Sequence, residues 1–209
     1  MSIEWPAHGL KLQARIEGGT AIIGVIGMGY VGLPLAVAFG EAGCPVLAFD
    51  VDQAKIDALE AGESYIKHID AARIAPLVKT EKLRATADLA RLGEADVVLI
   101  CVPTPLTRHL EPDLKYVEST TRAIAKTLRR GQLVILESTT YPGTTAEVMQ
   151  PILEEAGLVA GKDFFLAYSP EREGPGNPTY STTKIPKVVG ADDGVSATLA
   201  LSVYRHIVP

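Results

Sequence analysis

Six residues, Gly27-Met28-Gly29-Tyr30-Val31-Gly32, carry the sharpest chemical signal in the chain. They follow a short apolar run at 21–26 and open a helical pattern at about 30–42, which is the context a dinucleotide-binding turn requires. Gly27 permits the tight turn, Gly29 lets the backbone approach a pyrophosphate, and Gly32 lets the helix pack close to the strand. The pyrophosphate would rest on the free N–H groups of the helix N-terminus. Three glycines alone also suit a plain tight turn. The second feature is Asp50, which ends the next apolar run 18 residues after Gly32, where a ribose-binding carboxylate belongs. A carboxylate there accepts hydrogen bonds from both ribose hydroxyls and repels a 2′-phosphate, so NAD is expected rather than NADP. Lys55 is near enough to bind a phosphate, and equally suits a solvated helix position. Asp52 suits the N-cap of the helix that begins near Gln53.

Three further segments follow apolar runs, where ligands bind in open α/β sheets. In Val102-Pro103-Thr104-Pro105 two prolines fix the backbone. The hydroxyl-rich run from Glu137 through Ser138, Thr139 and Thr140 to Thr145 can contact ribose, nicotinamide or substrate, or can simply form turns and caps. Thr144 and Glu147 have the capping-box spacing. Ser169-Pro170-Glu171-Arg172 adds a carboxylate and a guanidinium.

The elements that must position these groups alternate. Continuous apolar runs at 21–26, 46–49, 97–102 and 133–136, with shorter ones at 83–85, 164–167 and 188–189, read as strands covered on both faces. Helical patterns occupy about 30–42, 53–61, 70–79, 115–128, 144–156 and 194–205, with Gly43 and Gly62 placed to end two of them. Strand–helix alternation predicts an α/β fold, a doubly wound Rossmann-type parallel sheet with helices on both faces. Residues 1–19 read as a lead-in segment containing a short helix, and 20–209 as an NAD-binding Rossmann domain.

With 209 residues, 47% of them hydrophobic and 22% charged, the chain is neither disordered nor fibrous and needs no disulfide or metal to hold a core. A net charge of −5 argues against nucleic acid as the main partner. Two cysteines, Cys44 and Cys101, are too few for a disulfide scaffold, which makes a cytoplasmic setting the default. Both read as small buried hydrophobes, Cys101 within its strand. His8, His68, His109 and His206 lack metal-ligand spacing, so no metal is expected. The N-terminus lacks the features of a signal peptide, and no apolar stretch is long enough to span a membrane.

Taken together, GMGYVGLP, CVPTP, ESTTYPGTT and SPEREGPGNP resemble the UDP-glucose/GDP-mannose dehydrogenase family, and within it most the branch acting on UDP-N-acetylhexosamines. The resemblance implies a four-electron oxidation of a sugar C6 alcohol to a carboxylate, with two NAD reduced and a cysteine thioester as intermediate. It places Val31, Asp50, Lys55 and Thr104 at NAD contacts, beside Gly27, Gly29, Tyr30 and Gly32. It gives Thr139 a place near the nicotinamide and a catalytic water, and Glu171 acid–base work in thioester hydrolysis. The family's nucleophilic cysteine, lysine and asparagine belong to segments beyond residue 209. The chain therefore reads as the cofactor-binding half of a homo-oligomeric UDP-sugar dehydrogenase, inactive alone. A non-catalytic nucleotide-sensing module and a small complete NAD-dependent reductase are the alternatives; against the reductase, no Tyr-x-x-x-Lys pair is suitably placed.

Overall fold

The computed structural model describes residues 4–108, 111–170 and 186–208. Six parallel strands form one sheet: β1 (Ile23–Ile26), β2 (Val46–Phe49), β3 (Leu83–Thr86), β4 (Val97–Ile100), β5 (Leu133–Leu136) and β6 (Phe165–Tyr168), in the order β3-β2-β1-β4-β5-β6. Around it lie α1 (Ala7–Glu17), α2 (Gly32–Glu41), α3 (Gln53–Glu60), α4 (Ala71–Lys79), α5 (Lys115–Ala125), α6 (Gln150–Glu154) and α7 (Gly194–Tyr204). From β1 the chain builds outward to β2 and β3, then returns to place β4 on the other side of β1. That reversal opens a crevice at the carboxyl edge between β1 and β4.

Alternate strand residues supply two cores. Val25, Ala48, Leu99 and Ile135 face one side, packed with α1, α2, α3, α4 and α7. Ile26, Phe49, Ile100 and Leu136 face the other, packed with α5 and α6. Burial on both faces is why these strands read as unbroken apolar runs.

At the amino edge Asp96, just before β4, is almost fully buried and ties several elements together. Its carboxylate accepts hydrogen bonds from Arg15 of α1 at 2.6 Å, Arg129 at 2.8 Å and the Ile22 N–H at 2.8 Å. The helix at 7–17 packs on α7: Gln13 bonds Ser202 and the His206 ring reaches the Ile16 carbonyl.

Four helices end in the same way. After α1, α2 and α3, Gly19, Gly43 and Gly62 adopt positive φ and close paired backbone bonds onto the last turn. After α4 the equivalent residue is Glu81, at φ 56°, with Glu81 N–H bonded to Val78 O and Lys82 N–H to Leu77 O. Left-handed backbone costs a non-glycine residue about 1–2 kcal/mol, and glycine's extra unfolded freedom offsets about 0.5–1. Glu81→Gly should therefore raise stability by roughly 0.5–1 kcal/mol, read as a higher urea midpoint; an unchanged or lower midpoint would refute it.

Three expectations need correction. Residues 188–189 form no strand; beside them Gly190 makes an isolated antiparallel bridge to Tyr168, and Val189 packs against the core. The pattern at 144–156 divides into a π-helical stretch, Thr144–Met149, and the short α6. Thr144 makes no capping box: Gly143 holds the cap position at φ 94°, and the Thr144 hydroxyl donates to the Tyr141 carbonyl. A short 3-10 helix, Leu89–Glu94, was not anticipated.

Candidate nucleotide-binding cleft

At the carboxyl edge of the sheet lies a cleft of about 840 Å³, with a mostly apolar wall. Gly27, Gly29, Tyr30, Val31, Asp50, Lys55, Thr104 and Thr139 all line it. Gly32 sits behind that wall. Glu171 lies outside the described residues, as do Arg172 and His109.

The three glycines do different work. Gly27 has φ 94°, and a Cβ there would come within 2.6 Å of the Cys101 carbonyl oxygen. A Cβ on Gly32 would fall 1.9 Å from the Gly27 carbonyl oxygen and 3.2 Å from the Cys101 Cβ. Both positions are closed by the protein itself. Around Gly29 no atom lies within 4 Å of where a Cβ would be, so that space belongs to the cleft. Beyond Gly29 begins α2, in whose first turn the Leu33 N–H bonds the Gly29 carbonyl at 3.1 Å, the Leu35 N–H bonds the Val31 carbonyl at 3.3 Å, and Pro34 has no N–H. Its N-cap residue, Val31, contributes no side-chain cap.

Asp50 follows β2 and is largely buried. Its carboxylate accepts from the Met28 N–H at 2.8 Å, the Asp52 N–H at 2.9 Å and the Lys55 ammonium at 2.9 Å. Burial alone would raise this carboxyl. The bonds from Asp52, Lys55 and Met28 outweigh it and hold the group below the usual carboxylate range. Its contribution to stability is thus complete above the unfolded-state value and is lost only as pH falls through the lower folded one. Lys55 is an ion-pair partner on the cleft wall rather than a freely solvated helix residue. Asp52 caps α3 through the Ala54 N–H. The Tyr65 hydroxyl donates to the Met28 carbonyl at 2.8 Å, bracing the glycine turn, and burial followed by nearby Asp50 pushes that phenol's pKa up. Tyr30 is exposed and stacks on His68, with ring centroids 5.9 Å apart.

At the opposite end, Thr104 donates to the Thr139 carbonyl at 2.7 Å, and Ser138 donates to the Val102 carbonyl at 2.6 Å. These bonds stitch the loop after β4 to the loop after β5 and leave the Thr139 side chain on the exposed rim. Cys101 lies past the end of β4 rather than within the strand, and lines the cleft. Cys44 is buried, as anticipated, and that burial raises its thiol.

Sequence reasoning missed several lining residues. Tyr116, Ser119 and Thr120 share one side of the first turns of α5, and their 3–4 spacing was the available signal. The other is Glu137, completely buried at the foot of the β5 loop and still part of the cleft wall. Its carboxylate pairs with the Lys187 ammonium at 2.6 Å and accepts the Tyr204 hydroxyl. Burial, and next the neighbouring Glu137 charge, hold the Tyr204 phenol well above its ordinary pKa, so it remains a donor. No local pattern announces contacts between residues 50 and 67 positions apart.

Among the described residues no group of three or more His, Cys, Asp or Glu side chains is placed to hold a metal, and no helix is long and apolar enough to cross a membrane.

Residues 21–208 match the model of the UDP-glucose/GDP-mannose dehydrogenase family, NAD binding domain. The chain is 40% identical over 187 residues to UDP-N-acetyl-D-glucosamine 6-dehydrogenase of Pseudomonas aeruginosa, covering 89% of this chain and 43% of that one. It is 39% identical over 198 residues to UDP-N-acetyl-D-mannosamine dehydrogenase of Escherichia coli strain K12, covering 88% and 45%. Among solved structures it resembles the NDP-N-acetyl-D-galactosaminuronic acid dehydrogenase from Methanosarcina mazei Go1, with a TM-score of 0.87, 36% identity and coverage of 99% and 46%. The chain spans less than half the length of each.

Proposed function

Because the chain belongs to the UDP-glucose/GDP-mannose dehydrogenase family, we propose that it is the NAD-binding part of a UDP-sugar 6-dehydrogenase that converts the C6 alcohol of a UDP-N-acetylhexosamine to a carboxylate. The observation that carries this reading is the cleft itself. Gly29 leaves a cradle that a Cβ would fill, and Asp50 stands beside it with its charge held by three donors.

In this reading the α2 N-terminus and the Gly29 backbone hold the pyrophosphate, and Asp50 with Lys55 holds the adenosine ribose. Gly27 and Gly32 shape the turn, Tyr30 and Val31 flank it, and Thr104 fixes the loop that carries Thr139. When bound, NAD supplies the hydride acceptor. Thr139 orients water beside the reacting carbon, and Glu171 moves the proton of that water. The sugar, the nucleophilic cysteine and the oligomer contacts come from the rest of a longer homo-oligomeric protein. We place the reaction in the cytoplasm, where its product would feed polysaccharide synthesis.

Titration calorimetry of this chain tests the cofactor site. NAD should bind at least about tenfold tighter than NADP, a difference of about 1.4 kcal/mol, and Asp50→Ala should narrow that gap. Equal affinities in the unsubstituted chain would refute the role given to Asp50. For the reaction, the full-length protein given UDP-N-acetylglucosamine or its epimers should form two NADH per sugar consumed, followed at 340 nm. One NADH per sugar, or none with any UDP-N-acetylhexosamine, would overturn the four-electron reading.

A further inference from the structure

We propose that Thr120, near the start of α5, hydrogen-bonds the adenine base of NAD and so helps to set which base the cleft accepts. The inference rests on the cofactor reading above and deepens it. With Gly29 and Asp50 assigned to the pyrophosphate and the adenosine ribose, that reading leaves the base without a polar partner.

Thr120 is only 8% exposed, yet it lines the cleft. Its neighbours on the helix commit their hydroxyls to the backbone: Ser119 donates to the Tyr116 carbonyl at 3.1 Å, and Thr121 to the Val117 carbonyl at 2.7 Å. Those carbonyls lie four and three residues before Thr120, where a helical threonine ordinarily bonds. Thr120 bonds neither, and its hydroxyl has no other partner among the described residues. Nor is that hydroxyl sealed in. Among the described residues, the enclosed side-chain oxygens without a partner are those of Gln13, Gln132 and Ser169. The Thr120 oxygen therefore keeps access to solvent, and the space it reaches is the cleft that Thr120 lines. Buried polar groups are bonded as a rule, so an unused donor and acceptor at a cavity wall marks the place of a ligand.

The position fits the base rather than the nicotinamide. Val51 follows Asp50 directly. Leu89 follows β3, the strand beyond β2, and the 3-10 helix that it opens packs on α5. Val51, Leu89 and Tyr116 line the cleft with Thr120, at the Asp50 end and away from Ser138 and Thr139 after β5. A base leaving the ribose held by Asp50 meets this wall. Its apolar side chains suit the faces of a purine, and the one free hydroxyl suits the polar edge. Adenine carries that edge on its second ring, further from the sugar than a pyrimidine does.

Thr120→Val keeps the shape of the side chain and removes the hydroxyl. NAD affinity should fall about three- to tenfold, the worth of one uncharged hydrogen bond. ADP-ribose, which lacks the nicotinamide, should lose the same factor. Thr120→Ser keeps the hydroxyl and should hold NAD affinity within about twofold. Nicotinamide cytosine dinucleotide should bind the unsubstituted chain more weakly than NAD and lose nothing further in Thr120→Val. Kd values come from titration calorimetry on this chain. Melting without ligand checks the fold, and because the hydroxyl has no partner in the protein, Thr120→Val should melt no lower than the unsubstituted chain. If Thr120→Val does not fold, Thr120→Ala carries the same comparison. Unchanged NAD affinity on loss of the hydroxyl, a loss for NAD but not for ADP-ribose, or a loss as large in Thr120→Ser would each overturn the proposal. So would equal affinity of the unsubstituted chain for NAD and the cytosine analogue. Failure of the unsubstituted chain to bind NAD or ADP-ribose would instead overturn the cofactor reading on which the proposal rests.

Discussion

Gly29→Val should leave the domain folded and abolish its response to NAD, whereas Gly32→Ala, a smaller change three residues away, should disrupt the fold. The two substitutions meet opposite surroundings. At Gly29 no protein atom lies within 4 Å of a new Cβ, so the branched side chain displaces only what occupies the cleft. At Gly32 the new methyl would fall 1.9 Å from the Gly27 carbonyl oxygen, a backbone atom that cannot swing away. Moving α2 off the turn to make room should cost about 3 kcal/mol or more, the upper range for overpacking. For Gly29→Val we expect an NAD affinity loss of more than about 100-fold, near 2.7 kcal/mol, with a melting temperature close to that of the unsubstituted chain. Melting each variant with and without NAD checks both halves. A Gly29→Val protein still stabilised by NAD would place the pyrophosphate elsewhere, and a Gly32→Ala protein of normal stability would mean that α2 is loosely seated.

Asp96→Ala should cost about 3 kcal/mol, although Asp96 lies at the edge of the sheet opposite the cleft. One buried carboxylate satisfies two guanidinium groups and the Ile22 N–H, joining α1, β1, β4 and the segment that carries Arg129. Removing it strands the Ile22 N–H and unseats both arginines. The figure stands at the low end for a broken buried pair because Arg15 and Arg129 are each more than a third exposed and can turn to water. Arg15→Ala, which leaves Arg129 on the carboxylate, should cost only about 1 kcal/mol. Urea unfolding at unchanged slope measures both, and a loss below about 1 kcal/mol for Asp96→Ala would show that the three contacts are not cooperative.

The strands were legible because a parallel sheet covered on both sides demands unbroken apolar runs, and VLAF, VVLI and LVIL meet that demand with no competing pattern. Their ends were less so. Cys101 and Val102 continue the apolar run of β4, yet the ladder stops at Ile100, where the chain turns into the prolines. Val188 and Val189 have strand-like side chains, but residue type alone does not supply a neighbour for the ladder. Thr144 and Glu147 matched a helix-start rule, but Gly143 turns the chain into that helix at positive φ, so the threonine hydroxyl bonds backward. In the cleft, Asp50 and the glycine turn were readable because the motif and its carboxylate lie close together in sequence. Glu137 was not, since a fully buried glutamate makes sense only once Lys187 and Tyr204 are seen against it.

The contact between α1 and α7 has a consequence for biosynthesis. Leu12 and Ile16 share a core with Val203, Tyr204 and Ile207, near the other end of the domain. As the nascent chain leaves the ribosome, β1 through β4 can pair early. The sheet face beneath α7 stays uncovered, and Glu137 waits without its lysine, until the last of these residues has emerged. Contacts of such long sequence separation close slowly. The stretch of synthesis just before α7 emerges is therefore when this domain exposes the most sticky surface, and when a chaperone would matter most.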